Sequence, residues 1–480
     1  MVDLLHYIDG AFVASANGAS FANHNPATGE KLADVARGDA GSIDQAVQAA
    51  RAALKGPWGS TSSAERADLL DAIADALEAR SDELVALESA DTGKPVGLAG
   101  SVDIPRAVSN FRFFAGAVRH TETGCHPMEG ALNYTPRRPV GVLGLITPWN
   151  LPLYLLTWKV APALAMGNTL VAKPSEVTPM TAGALAEVMH ELGVPRGVFN
   201  LVHGYGAEVG QPLVEHRDVG GVSFTGGTET GARVAAAAAS SFKKLSLELG
   251  GKNSSIVFAD CDFEATVAGV ARAGFANQGQ VCLCGSRVLV ERPLLERFTE
   301  ALVAEVAQRR PGDPSHPETN FGSLVSLAHR EKVESYIALA REEGGDVLLG
   351  GKRPSLEPPF DQGAFLEPAL VAGLPHDSRT ATAEIFGPVV TIHPFDSEEE
   401  AVAIANEVRY GLAASVWTAD LGKAHRVSAA LETGMVWVNT WLLRDLRVPF
   451  GGVKDSGLGR EGGRYSLEFF SESRNVCVKL

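Results

Sequence analysis

Cys282 and Cys284 stand one residue apart in Asn277–Arg287, NQGQVCLCGSR. Four chemistries are open to such a pair. Zinc coordination is a poor fit, because no second cysteine pair or histidine pair lies nearby and no H-E-x-x-H occurs. A disulfide is strained, since residues i and i+2 of an extended chain point to opposite sides. Two small buried hydrophobes make the plain structural reading. The last reading is one reactive thiolate. A thiol with an ordinary pKa of about 8.5 is only a few per cent ionised at neutral pH, so a base or a helix N-terminus must activate it.

Glu248 in ELGGK follows an apolar segment and precedes two glycines. Such a Glu is ordinarily a surface residue or a cap. Beside a nucleophile it becomes a candidate base, and the glycines let its backbone approach a ligand closely. In KPSE, Lys173 and Glu176 follow another apolar segment. They form either a solvated strand end or a pair that holds the hydroxyls of an adenine ribose. A carboxylate there repels a 2′-phosphate, which favours NAD over NADP. Gly204, Gly206 and Gly210 of HGYGAEVG miss the G-x-G-x-x-G pattern, because Val209 stands at the third glycine. A tight turn into a helix explains them equally well. FTGGTETG (Phe224–Gly231) reads as a buried strand, two glycines and a helix N-terminus, which offers N–H groups and a positive dipole end to a phosphate.

These residues need elements that bring them together. Ser62 and Glu65 have capping-box spacing and open an amphipathic helix to about Ala90; a second helix fits Val102–Val118. Short apolar runs then alternate with helical stretches. The expected strands are Val140–Ile146, Thr169–Ala172, Val198–Val202, Gly220–Phe224 and Leu245–Leu247. After Gly251 the alternation continues with Ser255–Phe258 and Ser286–Glu291 as strands, and Asp262–Asn277 and Leu294–Gln308 as helices. Unbroken apolar strands alternating with helices predict an α/β fold with parallel sheets covered on both faces. Such sheets bind ligands at the carboxyl ends of their strands, here TPWN, KPSE, HGYG and FTGG.

The chain has 480 residues and a formal net charge of −15. That length implies two or three domains. The acidic balance argues against nucleic acid and anionic membrane as partners, and an anionic substrate would need a local cluster of Arg or Lys. Five cysteines are too few for a disulfide scaffold. The first residues, MVDLLHYIDG, lack the pattern of a secretory signal, and the apolar run 151–166 is broken by Pro152, Lys159 and Pro162. Cytoplasmic location is the expectation.

TPWN (147–150), KPSE (173–176), FTGG (224–227), LELGGK (247–252), GQVC (279–282), EIFGPV (384–389) and PFGG (449–452) resemble, in order and spacing, the motifs of the aldehyde dehydrogenase superfamily. The resemblance covers essentially the whole chain. It implies a Rossmann-like NAD-binding domain at 1–120 and 140–250, a catalytic α/β domain at 251–455, and a small bridging sheet from 121–139 and 465–480, used in a homodimer or homotetramer. It implies Cys282 as nucleophile, Glu248 as general base, and Asn150 with the Cys282 N–H as the oxyanion hole, with no metal. Its cofactor is NAD, with contacts from Ile146, Thr147, Pro148, Trp149, Lys173, Ser175, Glu176, Gly206, Phe224, Thr225, Gly226, Gly227, Leu249, Glu384 and Phe386. Gly227 departs from the Ser usual in the family, which removes a hydroxyl from the pyrophosphate region. Glu248 counts against a CoA-acylating branch, which typically lacks a base there.

DIPRAVSNFRFFAG, WNLPLYLLTWK, GQVCLC and NTWLLRDLRVPFGG are similar, within the superfamily, to the 2-aminomuconic and 2-hydroxymuconic semialdehyde dehydrogenases. The implied substrate is a small anionic aldehyde. Betaine, aliphatic and other semialdehyde enzymes, the alternatives, share only the core motifs. Arg444, among apolar residues, needs a partner: Asp445 or solvent structurally, or the substrate's carboxylate functionally. Arg106 is a second candidate and Arg447 a third.

Overall fold

The computed structural model describes residues 2–480. Five parallel strands form the centre of an eight-stranded sheet. They run in the order Lys244–Glu248, Val219–Thr225, Val142–Ile146, Thr169–Lys173, Phe199–Leu201. All five residues of Val142–Ile146 and of Thr169–Lys173 are buried, which is why these strands are continuously apolar rather than alternating. One face is covered by Ile104–Arg119, Pro152–Ala165 and Met180–Glu191, and the other by Ala40–Lys55 and Thr228–Ala239. At one edge Gly457–Leu458 returns from far along the chain to pair with Lys244–Glu248. At the other edge lies the hairpin of His6–Ile8 and Ala11–Val13.

A seven-stranded sheet is built from 254–438. Ala369–Ala372, Val389–Phe395, Arg287–Glu291, Ser254–Val257, Ala413–Trp417 and Met435–Val438 are parallel, and Asp346–Leu349 closes one edge antiparallel. A separate antiparallel sheet joins Cys125–Met128, Ala131–Tyr134 and Val476–Lys479. Among the described residues, no helix is long and apolar enough to cross a membrane.

Ser62 and Glu65 do form a capping box, each side chain bonding the other's backbone N–H. The helix stops at Ala79, however, and a second begins at Ser81. Arg80 breaks it, with φ −99° and ψ 17°. Its guanidinium is tied to Glu83 at 2.7 Å and Glu187 at 2.6 Å. Asp82 and Glu83 in the next turn favour a new N-terminus.

Candidate active site

Strand register brings the motifs together. Ile146 pairs with both Lys173 and Phe224, and Thr225 pairs with Glu248. TPWN, KPSE, FTGG and ELGGK therefore leave one sheet edge side by side. Across from them stands the cysteine loop of the second sheet.

That loop is neither strand nor helix start. Asn277 and Gln278 both take left-handed backbone angles, φ 50° and 56°, uncommon for residues with side chains. Gly279 follows at φ +72°, and a Cβ there would lie 2.3 Å from the Gly387 carbonyl oxygen, so only glycine fits against EIFGPV. Such strain concentrates where a loop is held for function. Two side chains pin three of the loop's carbonyls. Asn253 Nδ2 donates to Cys282 O at 2.7 Å and Cys284 O at 3.0 Å, and Trp441 Nε1 donates to Leu283 O at 2.9 Å.

The two cysteines differ in setting. Cys282 keeps part of its surface open, whereas Cys284 is buried with its Sγ 3.9 Å from the Ala276 carbonyl. Burial lifts the Cys284 thiol to about 12. Cys282 is held well above the usual thiol range, first by burial and then by the facing carboxylates of Glu248 and Glu384. Arg444 opposes this weakly. The residues leading into the loop, Ala276–Gly279, form a single tight turn, and Cys282 itself does not begin a helix.

Glu248 is buried, and neither carboxylate oxygen has a hydrogen-bond partner. A Cβ on Gly451 of PFGG would lie 2.7 Å from its Oε1, which places the carboxyl against that turn. Desolvation raises its pKa well above the ordinary range, and the nearby Glu461 charge adds to this. Glu461 itself is bound by Lys159 at 2.7 Å, from the middle of the apolar helix Pro152–Ala165. Asn150 is buried beside the loop. Its Nδ2 donates to Gln280 O at 2.8 Å, leaving the second amide N–H for another acceptor. Its carbonyl accepts from Lys94 Nζ and Asn277 Nδ2, both at 3.0 Å. Lys94 is fully buried and paired with Asp103 and Glu88.

On the far side of the loop is a cavity of about 480 Å³. Tyr154, Trp441, Arg106, Arg272 and Arg444 line it. Arg444 Nη1 donates to the Tyr154 hydroxyl at 2.7 Å, and its guanidinium lies 4.0 Å from the Phe450 ring centre and 4.4 Å from that of Trp158. Nη2 is buried without a partner. Asp445 is not the partner of Arg444; it pairs with Arg447 at 2.5 Å. Arg447 is exposed and borders a different cavity, with Arg464 and Arg137, which removes it from this site. The reason is local: Arg447 curls back on Asp445 two residues away. Arg106 stays half-buried, its guanidinium 5.8 Å from the Tyr154 ring centre.

The other sequence candidates lie on the opposite side of the strand edge. Lys173 Nζ meets Glu176 at 2.8 Å. A cavity of about 340 Å³ is lined by Ile146, Lys173, Gly206 and Phe224. A second, of about 720 Å³, is lined by Gly227, Lys332, Glu384 and Tyr410. Gly227 caps the helix Thr228–Ala239 without a side-chain bond, and a Cβ there would meet open space. Glu384 Oε1 accepts from Gly251 N at 2.9 Å. Phe386, at φ 60°, packs edge-on to Trp149 with ring centres 5.2 Å apart, and His329 Nε2 lies 2.7 Å from its carbonyl. Thr147 N donates to Lys173 O at 3.1 Å, Gly226 N donates to Glu248 O at 3.0 Å, and Pro148 is half-buried between them and Trp149. Ser175 accepts from Val177 N at 3.3 Å, and Leu249 is buried in the core beneath Thr228–Ala239.

Sequence reasoning missed Lys94, Asp103, Asn253, Asn277, Tyr154, Arg272 and Trp441. It noted Lys159 only as an interruption of an apolar run. A lysine in such a run is itself a signal of a buried carboxylate partner elsewhere.

The aldehyde dehydrogenase family profile matches residues 12–476. The chain belongs to the aldehyde dehydrogenase family. It is similar to the 2-hydroxymuconic semialdehyde dehydrogenase of Pseudomonas sp. strain CF600, 51% identical over 486 residues and covering 100% of both chains. It is 49% identical to a 2-aminomuconic 6-semialdehyde dehydrogenase of Pseudomonas sp., covering 99% of this chain and 98% of the relative. Among solved structures, the NAD⁺ complex of a Bacillus cereus aldehyde dehydrogenase superposes with TM-score 0.97 at 41% identity, over 100% of this chain and 97% of that one. The fold is that of this family, and the enzyme class follows from membership. The donor set fits NAD: a buried lysine paired to a carboxylate at the strand edge, and a cavity on each side of the Gly226–Gly227 turn.

Proposed function

We propose that the chain oxidises a short anionic aldehyde, 2-hydroxymuconic or 2-aminomuconic 6-semialdehyde, to the carboxylate with NAD. Lys173 and Glu176 would hold the adenosine ribose, the Phe224–Gly227 turn the pyrophosphate, and Glu384 and Phe386 the nicotinamide end. NAD, when bound, supplies the acceptor for the hydride that leaves the aldehyde carbon. Cys282 gives its S–H proton to solvent as Sγ bonds to that carbon, and the carbonyl electrons move to oxygen. The free N–H of Asn150 Nδ2 and the Cys282 N–H stabilise the oxyanion. Loss of hydride restores the carbonyl as a thioester on Cys282. Glu248, ionised, takes a proton from water, which adds to the thioester; Sγ leaves as thiolate. Desolvation, which raises the Glu248 pKa, also makes its ionised form a stronger base. The enzyme works in the cytoplasm as a homodimer or homotetramer.

The observation that supports the substrate class is Arg444, whose buried Nη2 lacks a partner in a cavity that Arg106 also lines. A guanidinium held over two aromatic rings and left one acceptor short suits a carboxylate. The test is NADH formation with a panel of aldehydes. Arg444→Ala should cut kcat/KM for 2-hydroxymuconic semialdehyde about 30- to 1000-fold, the value of a charged hydrogen bond, and spare hexanal. Equal losses, or none, would remove Arg444 from the site and the substrate class with it.

A further inference from the structure

Arg272 belongs to none of the motifs above. It sits in the last turn of the helix Phe263–Phe275, exposed, five residues before Asn277 of the cysteine loop. A cation there is ordinary by itself, because it meets the carbonyl end of the helix dipole. Its surroundings are not ordinary. It lines the same 480 Å³ cavity as Arg106 and Arg444, but from a different wall. Arg106 and Arg444 both contact Tyr154. Arg272 instead has its guanidinium 5.9 Å from the ring centre of Trp441, whose indole pins the cysteine loop. Among the described residues no carboxylate pairs with it within 4.0 Å.

The charge balance of the cavity is therefore lopsided. Three guanidinium groups border it, and the one carboxylate in its lining, Asp103, is bound to Lys94. All this lies in a chain of net charge −15. A cleft of one sign with low-dielectric walls focuses the field and raises the local concentration of counter-ions. Arg106 and Arg444 are half-buried, whereas Arg272 is open to solvent. It is thus the cation an arriving anion meets.

We infer that Arg272 is a specificity residue: it draws anionic aldehydes into the cavity by charge and takes no part in the chemistry at Cys282. This rests on the anionic-substrate reading above. The test compares wild type, Arg272→Gln and Arg272→Lys, each with saturating NAD, on 2-hydroxymuconic semialdehyde and on hexanal. Assays run at about 10 mM and about 500 mM ionic strength, where screening lengths are roughly 30 Å and under 10 Å. Arg272→Gln should lose about 3- to 10-fold in kcat/KM for the anion at low salt, and less than about twofold at high salt. Its kcat, and all its constants for hexanal, should match wild type, and Arg272→Lys should recover most of the loss. A loss that ignores salt and strikes both aldehydes would make Arg272 a prop for Trp441 and overturn the inference. So would an unchanged Arg272→Gln in a wild type that prefers the anion; the substrate class would then survive. A wild type with no preference for the anion would overturn both.

Discussion

Around the cysteine loop, one set of groups is paired: Lys94 sits between Asp103 and Glu88, Lys159 holds Glu461, and Asn253 donates to two loop carbonyls. A second set, close to the thiol, is not: Glu248 has no partner on either oxygen, and Arg444 leaves Nη2 bare. Both regions are buried in the same protein, and both hold charges that water would otherwise solvate. A buried charge without a partner costs stability, so the paired set is what packing tolerates and the unpaired set is what it does not. The difference teaches where to look for chemistry. Groups that are already satisfied position others; groups left unsatisfied at a thiol are available to a ligand.

The largest expected effect separates the two cysteines of the loop. Cys282→Ala should lower kcat by at least about 10⁴-fold, as loss of a nucleophile does, with NAD binding by fluorescence titration retained. Cys284→Ala should keep most of its activity, because its thiol only fills space beside the Ala276 carbonyl. Reversal of the two phenotypes would move the nucleophile.

Next comes the unpartnered carboxylate. Glu248→Gln should lower steady-state turnover about 10²- to 10⁴-fold, the usual worth of a general base, while still releasing a burst of one NADH per site. Mass spectrometry should find the acyl group on Cys282. The same variant should not be less stable. The folded-state pKa of Glu248 lies above its unfolded value, so its contribution to stability is present at low pH and is lost as pH climbs through the folded pKa. Glu248→Gln should therefore hold its Tm better than wild type as pH rises. A variant Tm that falls further than that of wild type at alkaline pH would show that the ionised Glu248 has a partner after all.

The smallest effect on turnover belongs to the paired set. Glu461→Gln leaves Lys159 without its carboxylate and should cost about 3–5 kcal/mol in urea unfolding, as broken buried pairs do. It also removes a charge that helps raise the Glu248 pKa. The acid limb of the pH–rate profile for thioester hydrolysis should accordingly move to lower pH. A limb that stays in place would mean that Glu248 does not feel Glu461 during turnover.

Much of this molecule was readable from local sequence. The apolar runs Val140–Ile146 and Thr169–Ala172 read as buried parallel strands because a strand covered on both faces has no polar side to show, and the strands stand at Val142–Ile146 and Thr169–Lys173. The Ser62–Glu65 capping box was legible because both of its bonds are made within one turn. The motif order from TPWN to PFGG carried the family. Contacts between distant residues were not legible. Arg80 ends a helix through Glu187, more than a hundred residues away, and Lys159 finds Glu461 at a separation of 302. Sequence ranked Arg444 ahead of Arg447 without showing what surrounds either. Tertiary structure chose: Tyr154, Trp158 and Phe450 fold around Arg444, while Arg447 turns outward onto Asp445. Sequence specifies which side chains are available and the local backbone that carries them. Which of those side chains end up buried, paired or left bare depends on where packing brings distant segments together, and that determines their charge state and their chemistry.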